Sequence, residues 1–533
     1  MPADAAPRPA GPQAALEPLP RDSVLLLATA LSGSLLVNFS GQFVTSNLAD
    51  IQGAIGASAD EASWLTTGYT MALLAGIVVS SPLIASFGLR RCLAAAALVF
   101  AFAALGCAAA PPLPVMIVLR LLQGSAAGGF GPIAFAATFM TAAGPRLPFG
   151  LSLLALFLLL PTTLGPAASG LIEDRVGWEA LFLVQAAIGS GLAAAALLFI
   201  PRAPIAWDAL RRDWAALLLL CLALAATMLV LGQGTRRYWL DSDLIRWSLA
   251  IGAGAWAGFL VTAWRSPRPV LSLALLARLS FIAPITLNLL FRAGFASTAF
   301  LAPQLLAMVQ GYRPLELANL FLWAAVPQLL AFPIAWWLLH RVDARLIIGA
   351  GLILFGLAAL LASGSTSLAA AEQFRISYAL AGAGQVLFLV PNLVAGGSPL
   401  KPADGPTASL MFNVTTAGGT NLGIALATEL VTERQKFHVA ALAESAAAYG
   451  SNLDRLDALA GSLAARAGDD ALAAARTIAT LAGALHREAW VLAFNDGFLL
   501  VGAMLIASAA ILLLFPRQPP LAGSPRTATG SAR

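Results

Sequence analysis

Leu113-Pro-Val-Met-Ile-Val-Leu-Arg-Leu-Leu-Gln-Gly-Ser-Ala-Ala-Gly-Gly129 carries one charge, Arg120, in a tract that is otherwise apolar, small or uncharged. Upstream, Cys92–Leu119 holds no Asp, Glu, Lys or Arg, and downstream neither does Leu121–Pro145. A helix needs about 20 mostly apolar residues to cross the ~30 Å hydrocarbon core at a rise of ~1.5 Å per residue. Both tracts exceed that length. Working outward, the same test finds fourteen charge-free stretches, from Ser23–Ala49 to Gly497–Pro516. Of the 533 residues 59% are apolar and only 11% charged, against roughly 25% charged in soluble domains. A soluble protein is excluded, and the fold class is an all-α polytopic membrane protein with 14 transmembrane helices. Lipid offers no partner to exposed backbone groups, and a barrel would show short alternating strands instead.

Basic residues set the orientation. With residues 1–22 placed in the cytoplasm, the inner segments hold 17 Lys and Arg and the short outer segments six. This positive-inside bias predicts cytoplasmic tails at 1–22 and 517–533. The sequence pI near 9.5 then reports topology and anionic lipid, with no nucleic-acid partner expected. Pro82-Leu-Ile-Ala-Ser-Phe-Gly-Leu-Arg90 is echoed by Pro333-Ile-Ala-Trp-Trp-Leu-Leu-His-Arg341. That repeat predicts two six-helix bundles, 23–201 and 280–516, with an inserted two-helix segment at 202–279. Parallel six-helix repeats hold substrate at their interface near the midplane. An outer loop at 431–488 is out of proportion, and Leu453, Leu456, Leu459 and Leu463 recur in it at helical intervals. It reads either as a docking surface for another protein or as a cap on its own transporter.

The sequence resembles the major facilitator superfamily, in its fourteen-helix drug:proton antiporter type, and within that the EmrB-type exporters of Gram-negative inner membranes. Leu119-Arg-Leu-Leu-Gln-Gly-Ser-Ala-Ala-Gly128 is similar to the fourth-helix signature, in which the resemblance implies a proton-transfer role for Arg120. Leu164-Gly-Pro-Ala-Ala-Ser-Gly170 resembles the fifth-helix antiporter motif, and Gly177 through Gly189 continues it. Gly311-Tyr-Arg-Pro-Leu-Glu316 and Asn413 through Gly423 match landmarks of the second half. Glu433-Arg-Gln-Lys-Phe-His-Val-Ala-Ala-Leu-Ala-Glu444 is EmrB-like. The chain departs from the pattern at Ser40, where the family carries Asp, at Ser81 and Ala85 after the second helix, at Ser169, and at Thr416, where many relatives carry Arg.

Three residues interrupt the spans: Arg120, Arg292 and Asp496. A charge near a helix centre costs roughly 2.5–3.5 kcal/mol on insertion scales, so each needs a partner or a cavity. Arg120 shares a helix face with Gln123 and Gly124, and reads as a buried functional charge or a snorkelling one. Arg292, one turn after Asn288, reads as an anchor for an acidic substrate group or as an arginine satisfied by nearby carbonyls. Asn38, Gln42, Gln123, Asn288, Asn413 and Asn421 are candidate cavity residues, or else bonds between helices. Gly88, Arg90, Arg91, Gly124, Gly165, Pro166, Gly170, Gly419 and Gly423 are gate candidates, because Pro removes a backbone bond and Gly permits close approach, although generic packing explains glycines too.

The energy source is narrowed by what is missing. The two lysines, Lys401 and Lys436, end no Gly-rich phosphate loop. His340, His438 and His486 lie outside the apolar spans, so no His/Asp relay is expected, and Cys92, Cys107 and Cys221 show no metal-ligand spacing. No cofactor is expected and no enzyme activity. An ion gradient remains, with Arg120, Asp496, Glu316 or the substrate's own carboxyl as proton carriers. The expected function is export of lipophilic, weakly acidic or neutral small molecules by alternating access, coupled to protons. Candidate partners are the bilayer, a periplasmic adaptor protein and an outer-membrane channel. Two other readings are uptake or facilitated diffusion of a small organic acid, and a membrane scaffold or receptor without turnover.

Overall fold

The computed structural model describes residues 20–142, 144–207, 214–266, 271–401, 404–448, 458, 470–514, 517 and 520–521. The helices are α1 (Arg21–Ser46), α2 (Ala59–Ala108), α3 (Leu113–Ala127), α4 (Phe130–Thr141), α5 (Leu147–Val176), α6 (Glu179–Phe199), α7 (Trp214–Gln233) and α8 (Asp243–Arg265). They continue with α9 (Leu279–Ala293), α10 (Ala302–Gln310), α11 (Pro314–Leu339), α12 (Ala344–Ala362), α13 (Arg375–Gly397), α14 (Gly405–Ala448) and α15 (Asp470–Ser508). Among the described residues twelve helical segments are long and apolar enough to cross a membrane. The sequence expectation was fourteen, and two elements account for the difference. The 50 residues of α2 would reach about 75 Å if straight, more than twice the hydrocarbon core. They bend at Gly88, whose φ of +78° disfavours any residue with a side chain. α14 falls outside the twelve; it carries Asn413, Thr415, Thr416, Thr420 and Asn421, which reduce its apolarity without adding charge.

Ends of helices are set locally. Ser58 and Glu61 form a capping box that opens α2, with the Ser58 N–H donating to Glu61 Oε2 at 2.8 Å. Gly311, at φ +72°, closes α10 in a left-handed cap. A π-helical turn, Ser297–Leu301, joins α9 to α10. Outward faces are apolar, with Phe102, Leu198 and Leu330 exposed, as lipid-facing surfaces require.

Packing divides the helices into two groups. Helix α2 lies along α3 and α6, and α1 against α4, α5 and α6; after residue 279, α9 packs on α14, α13 on α11 and α12, and α15 on α12 and α14. The groups meet along two seams, α5 with α11 and α13, and α14 with α2 and α4. At the first seam Thr163 Oγ1 donates to Gln328 Oε1 at 2.9 Å, and Gln328 Nε2 donates to Gln385 Oε1 at 2.6 Å, all three buried. The pair α7 and α8 lies beside the second seam. There Leu217, Leu220 and Leu224 of α7 join Leu74 and Ile77 of α2 and Leu410 of α14 in one apolar cluster. Buried Gln233 at the end of α7 donates to Ser63 Oγ at 3.0 Å and Thr67 Oγ1 at 2.9 Å, clasping the pair to α2. α14 and α15 both extend into the segment read as an outer loop. Its amphipathic repeat, Leu453, Leu456, Leu459 and Leu463, lies outside the described residues.

Candidate functional site

A cavity of about 180 Å³ lies between the two groups, lined from α1, α2, α3, α4, α5, α9 and α14. Asn38, Gln42, Arg120, Arg292, Asn413 and Asn421 line it, and no carboxylate does among its described lining residues. Gln123 and Asn288 do not. They sit behind it and bond other helices. Asn288 Nδ2 donates to Thr415 Oγ1 at 2.9 Å and Thr416 Oγ1 at 3.2 Å, tying α9 to α14. Thr416 thus lines the cavity and accepts from Asn288.

The two arginines are equally buried and differently satisfied. Arg120 is 1% exposed. Its Nε donates to the Leu65 carbonyl at 3.2 Å, and its Nη1 to Gln123 Oε1 at 2.5 Å. Gln123 Nε2 passes the chain to Gln185 Oε1 at 2.9 Å, and the guanidinium lies 4.0 Å from the centre of the Tyr69 ring. Arg292 is 2% exposed, and its Nε and Nη2 have no acceptor among the described residues. Its nearest cation–π contact is Phe295, at 5.1 Å. A buried donor without an acceptor costs about 1–3 kcal/mol, and more when charged. Nε and Nη2 form one edge of the guanidinium plane, the edge that accepts a carboxylate in bidentate fashion.

The other proton-carrier candidates stand away from this cavity. Exposed Glu316 accepts from the Arg313 N–H at 2.8 Å and so caps α11. Asp496 Oδ2 bonds Arg434 Nε at 2.5 Å and His438 Nε2 at 2.8 Å. A His/Asp pair therefore exists, contrary to the sequence expectation. Counting histidines only within apolar spans hid it, because α14 runs on past its apolar part and brings His438 alongside α15.

Gate candidates sort by what they touch. A methyl group on Gly124 would collide with the Tyr69 carbonyl, and one on Gly423 with that of Ala293, so these glycines let α3 close on α2 and α14 on α9 inside each group. Gly419 likewise abuts Leu289 and Arg292, and Gly165, beside Pro166, abuts Gln42. Gly170 differs, since a Cβ there would lie 2.8 Å from the Pro314 carbonyl across the α5/α11 seam. At the Gly88 bend, Arg91 Nη1 donates to the Ala203 carbonyl at 3.0 Å and Arg90 Nη1 to that of Ile200 at 3.4 Å. Those bonds hold the bend to the segment after α6. Gln185, Gln233, Gln328 and Gln385 were missed in the sequence; each is an amide in a charge-free span, which was the signal available.

The family profile of the Major Facilitator Superfamily matches residues 30–423. The chain is 22% identical over 503 residues to the colistin resistance protein EmrB of Acinetobacter baumannii, covering 92% of this chain and 96% of that one. It is 23% identical over 448 residues to the multidrug export protein EmrB of Escherichia coli K12 (82% and 86% covered). To a multidrug resistance protein B homolog of Mycobacterium tuberculosis it is 26% identical over 381 residues (69% of each). The crystal structure of the human organic anion transporter MFSD10 (TETRAN) superposes with a TM-score of 0.56 at 12% identity, over 92% of this chain and 100% of that one, a likeness of fold alone.

Proposed function

This chain belongs to the major facilitator superfamily, and from that premise we propose that it is a secondary active exporter of lipophilic, weakly acidic or neutral small molecules. It works by alternating access between the bundles 23–201 and 280–516, driven by protons entering as substrate leaves. The observation that carries the substrate class is the cavity between the bundles, whose described lining holds two arginines and no carboxylate. Such a site repels dications and gives an anionic group a desolvated partner. The likeness to multidrug export proteins along most of the chain supports export from a bacterial inner membrane.

The bent α2 counts as two crossings and α14 as another, which makes fourteen, with both tails in the cytoplasm as the basic residues require. Asn38, Gln42, Arg292, Asn413 and Asn421 contact substrate; Arg120 stands at the cavity wall. Asp496 with His438 accepts the incoming proton at the outer side, in preference to Glu316, whose carboxylate caps a helix. Gly165, Pro166 and Gly170 permit the rocking of α5. The segment 431–488 is the part that meets a periplasmic adaptor, which hands substrate to an outer-membrane channel.

Sealed vesicles with an imposed pH gradient test the proposal. Gradient-driven flux of acidic and neutral aromatic compounds is expected, with little flux of ethidium-like dications. The lack of a cavity carboxylate favours one second reading, facilitated diffusion of a small organic acid. Equilibration that ignores the gradient would identify it.

A further inference from the structure

A second cavity of about 280 Å³ lies beside the first, among α2, α4 and α14. Its wall is apolar, with Ile84, Pro132, Phe135, Phe139, Met140 and Leu410 the main contributors. The two chambers share Ile77, and they occupy successive positions on the same helices. Gly131 and Asn413 face the first, whereas Pro132 and Ser409 face the second. Asn413 stands between Gly131 of the first lining and Ser409 of the second. Its amide occupies the space that a side chain on Gly131 would need, and its Nδ2 bonds the Ser409 carbonyl one turn back at 2.8 Å. Swinging the Asn413 side chain aside would break only its bonds to Ser409, to the carbonyl at 2.8 Å and to Oγ at 3.5 Å, both within its own helix, and would open a way between the chambers.

Volume decides whether they act together. Small-molecule sites usually occupy about 300–1,000 Å³, which neither chamber reaches alone and both reach together. Their chemistry is complementary as well. The first offers the unpaired donors of Arg292, and the second offers hydrocarbon and aromatic wall without charge.

Resting on the exporter reading above, we propose that the two chambers are one substrate site for an amphiphilic monoanion. The anionic group sits in the polar chamber at Arg292, and an apolar tail passes Asn413 into the chamber beneath Phe135 and Phe139. Tail length is then the selected property. Each methylene buried in the apolar chamber adds up to about fourfold in apparent affinity.

The probes are a homologous series from phenylacetate through 4-phenylbutyrate to 8-phenyloctanoate, with uptake measured in inside-out proteoliposomes of the full chain. In the wild type kcat/KM rises with tail length. Ala136→Phe, which fills the apolar chamber from α4, lowers the 8-phenyloctanoate to phenylacetate ratio of kcat/KM at least tenfold. Ser81→Leu fills it from α2 and gives the same narrowing should the first variant fold poorly. Asn413→Ala widens the passage and raises the ratio. A wild-type profile flat with tail length, or filled variants that slow every homologue equally, overturns the two-chamber site while leaving the exporter reading intact. Absence of gradient-driven flux for every homologue, phenylacetate included, overturns both.

Discussion

Arg120 donates through Nη1 to Gln123 Oε1 at 2.5 Å, and that bond distinguishes it from Arg292, whose edge nitrogens meet no acceptor. One buried arginine is therefore held in place, by Gln123, Leu65 and Tyr69. The other is a charge awaiting a partner.

Replacing Arg292 tests that difference. Arg292→Gln removes a charge-assisted contact worth about 1.5–3 kcal/mol, so KM for an acidic substrate rises roughly ten- to a hundredfold with a smaller change for a neutral one. The empty protein becomes more stable in detergent, because an uncompensated buried charge is gone. A thermal melt of the purified protein and vesicle uptake measure the two effects. A lowered melting temperature would falsify the unpaired assignment.

Gln123→Leu acts in the opposite sense. It strips Arg120 of its side-chain acceptor and Gln185 of its donor, and is expected to destabilise by about 1–3 kcal/mol. Gln185→Leu is milder, since Gln185 Nε2 already lacks a partner. A double-mutant cycle on thermal unfolding should return a coupling between the two sites. Strict additivity would break the chain at Gln123.

Two glycine-to-alanine changes separate packing from gating. Gly423→Ala drives a methyl into the Ala293 backbone, which cannot rotate away, so overpacking of about 1–3 kcal/mol or more reduces the yield of folded protein. Gly170→Ala presses instead on Pro314 across the seam and favours separation of α5 from α11. Expression stays normal, and a cysteine at Thr162 in the cavity is labelled faster by an impermeant thiol reagent. Equal labelling with and without Gly170→Ala would place this contact outside the gate.

Asp496→Asn addresses coupling. The carboxylate binds both Arg434 and His438 and is partly exposed, so its loss destabilises by no more than about 1 kcal/mol. If the pair accepts the driving proton, the variant loses uphill transport but keeps substrate exchange across the membrane without a gradient. Retention of full pH-driven accumulation would assign the pair to structure alone.

How much of this was legible beforehand follows from the kind of force involved. Hydrocarbon tolerates few charges, so the spans and the two arginines inside them stand out in a single sequence. The bend at Gly88 needed coordinates, because a glycine at φ +78° reads like any other glycine. The amide links were hidden for a different reason: Gln123 finds Gln185 62 residues away and Thr163 finds Gln328 165 residues away, distances over which uncharged amides leave no pattern. The state of Arg292 was equally hidden. Its presence could be read from the chain, but its lack of an acceptor is a property of every neighbour at once.

The clasp at Gln233 has a consequence for how the protein meets its bilayer. An amide buried among apolar helices does not leave its acceptors readily, so α7 is fastened to α2 at Gln233, while its leucines also meet Leu410 of α14. The inserted pair therefore flanks one seam, that of α14 with α2, and the two seams differ in what lies beside them. If the two groups rock as proposed, lipid chain packing is then felt differently at the two seams.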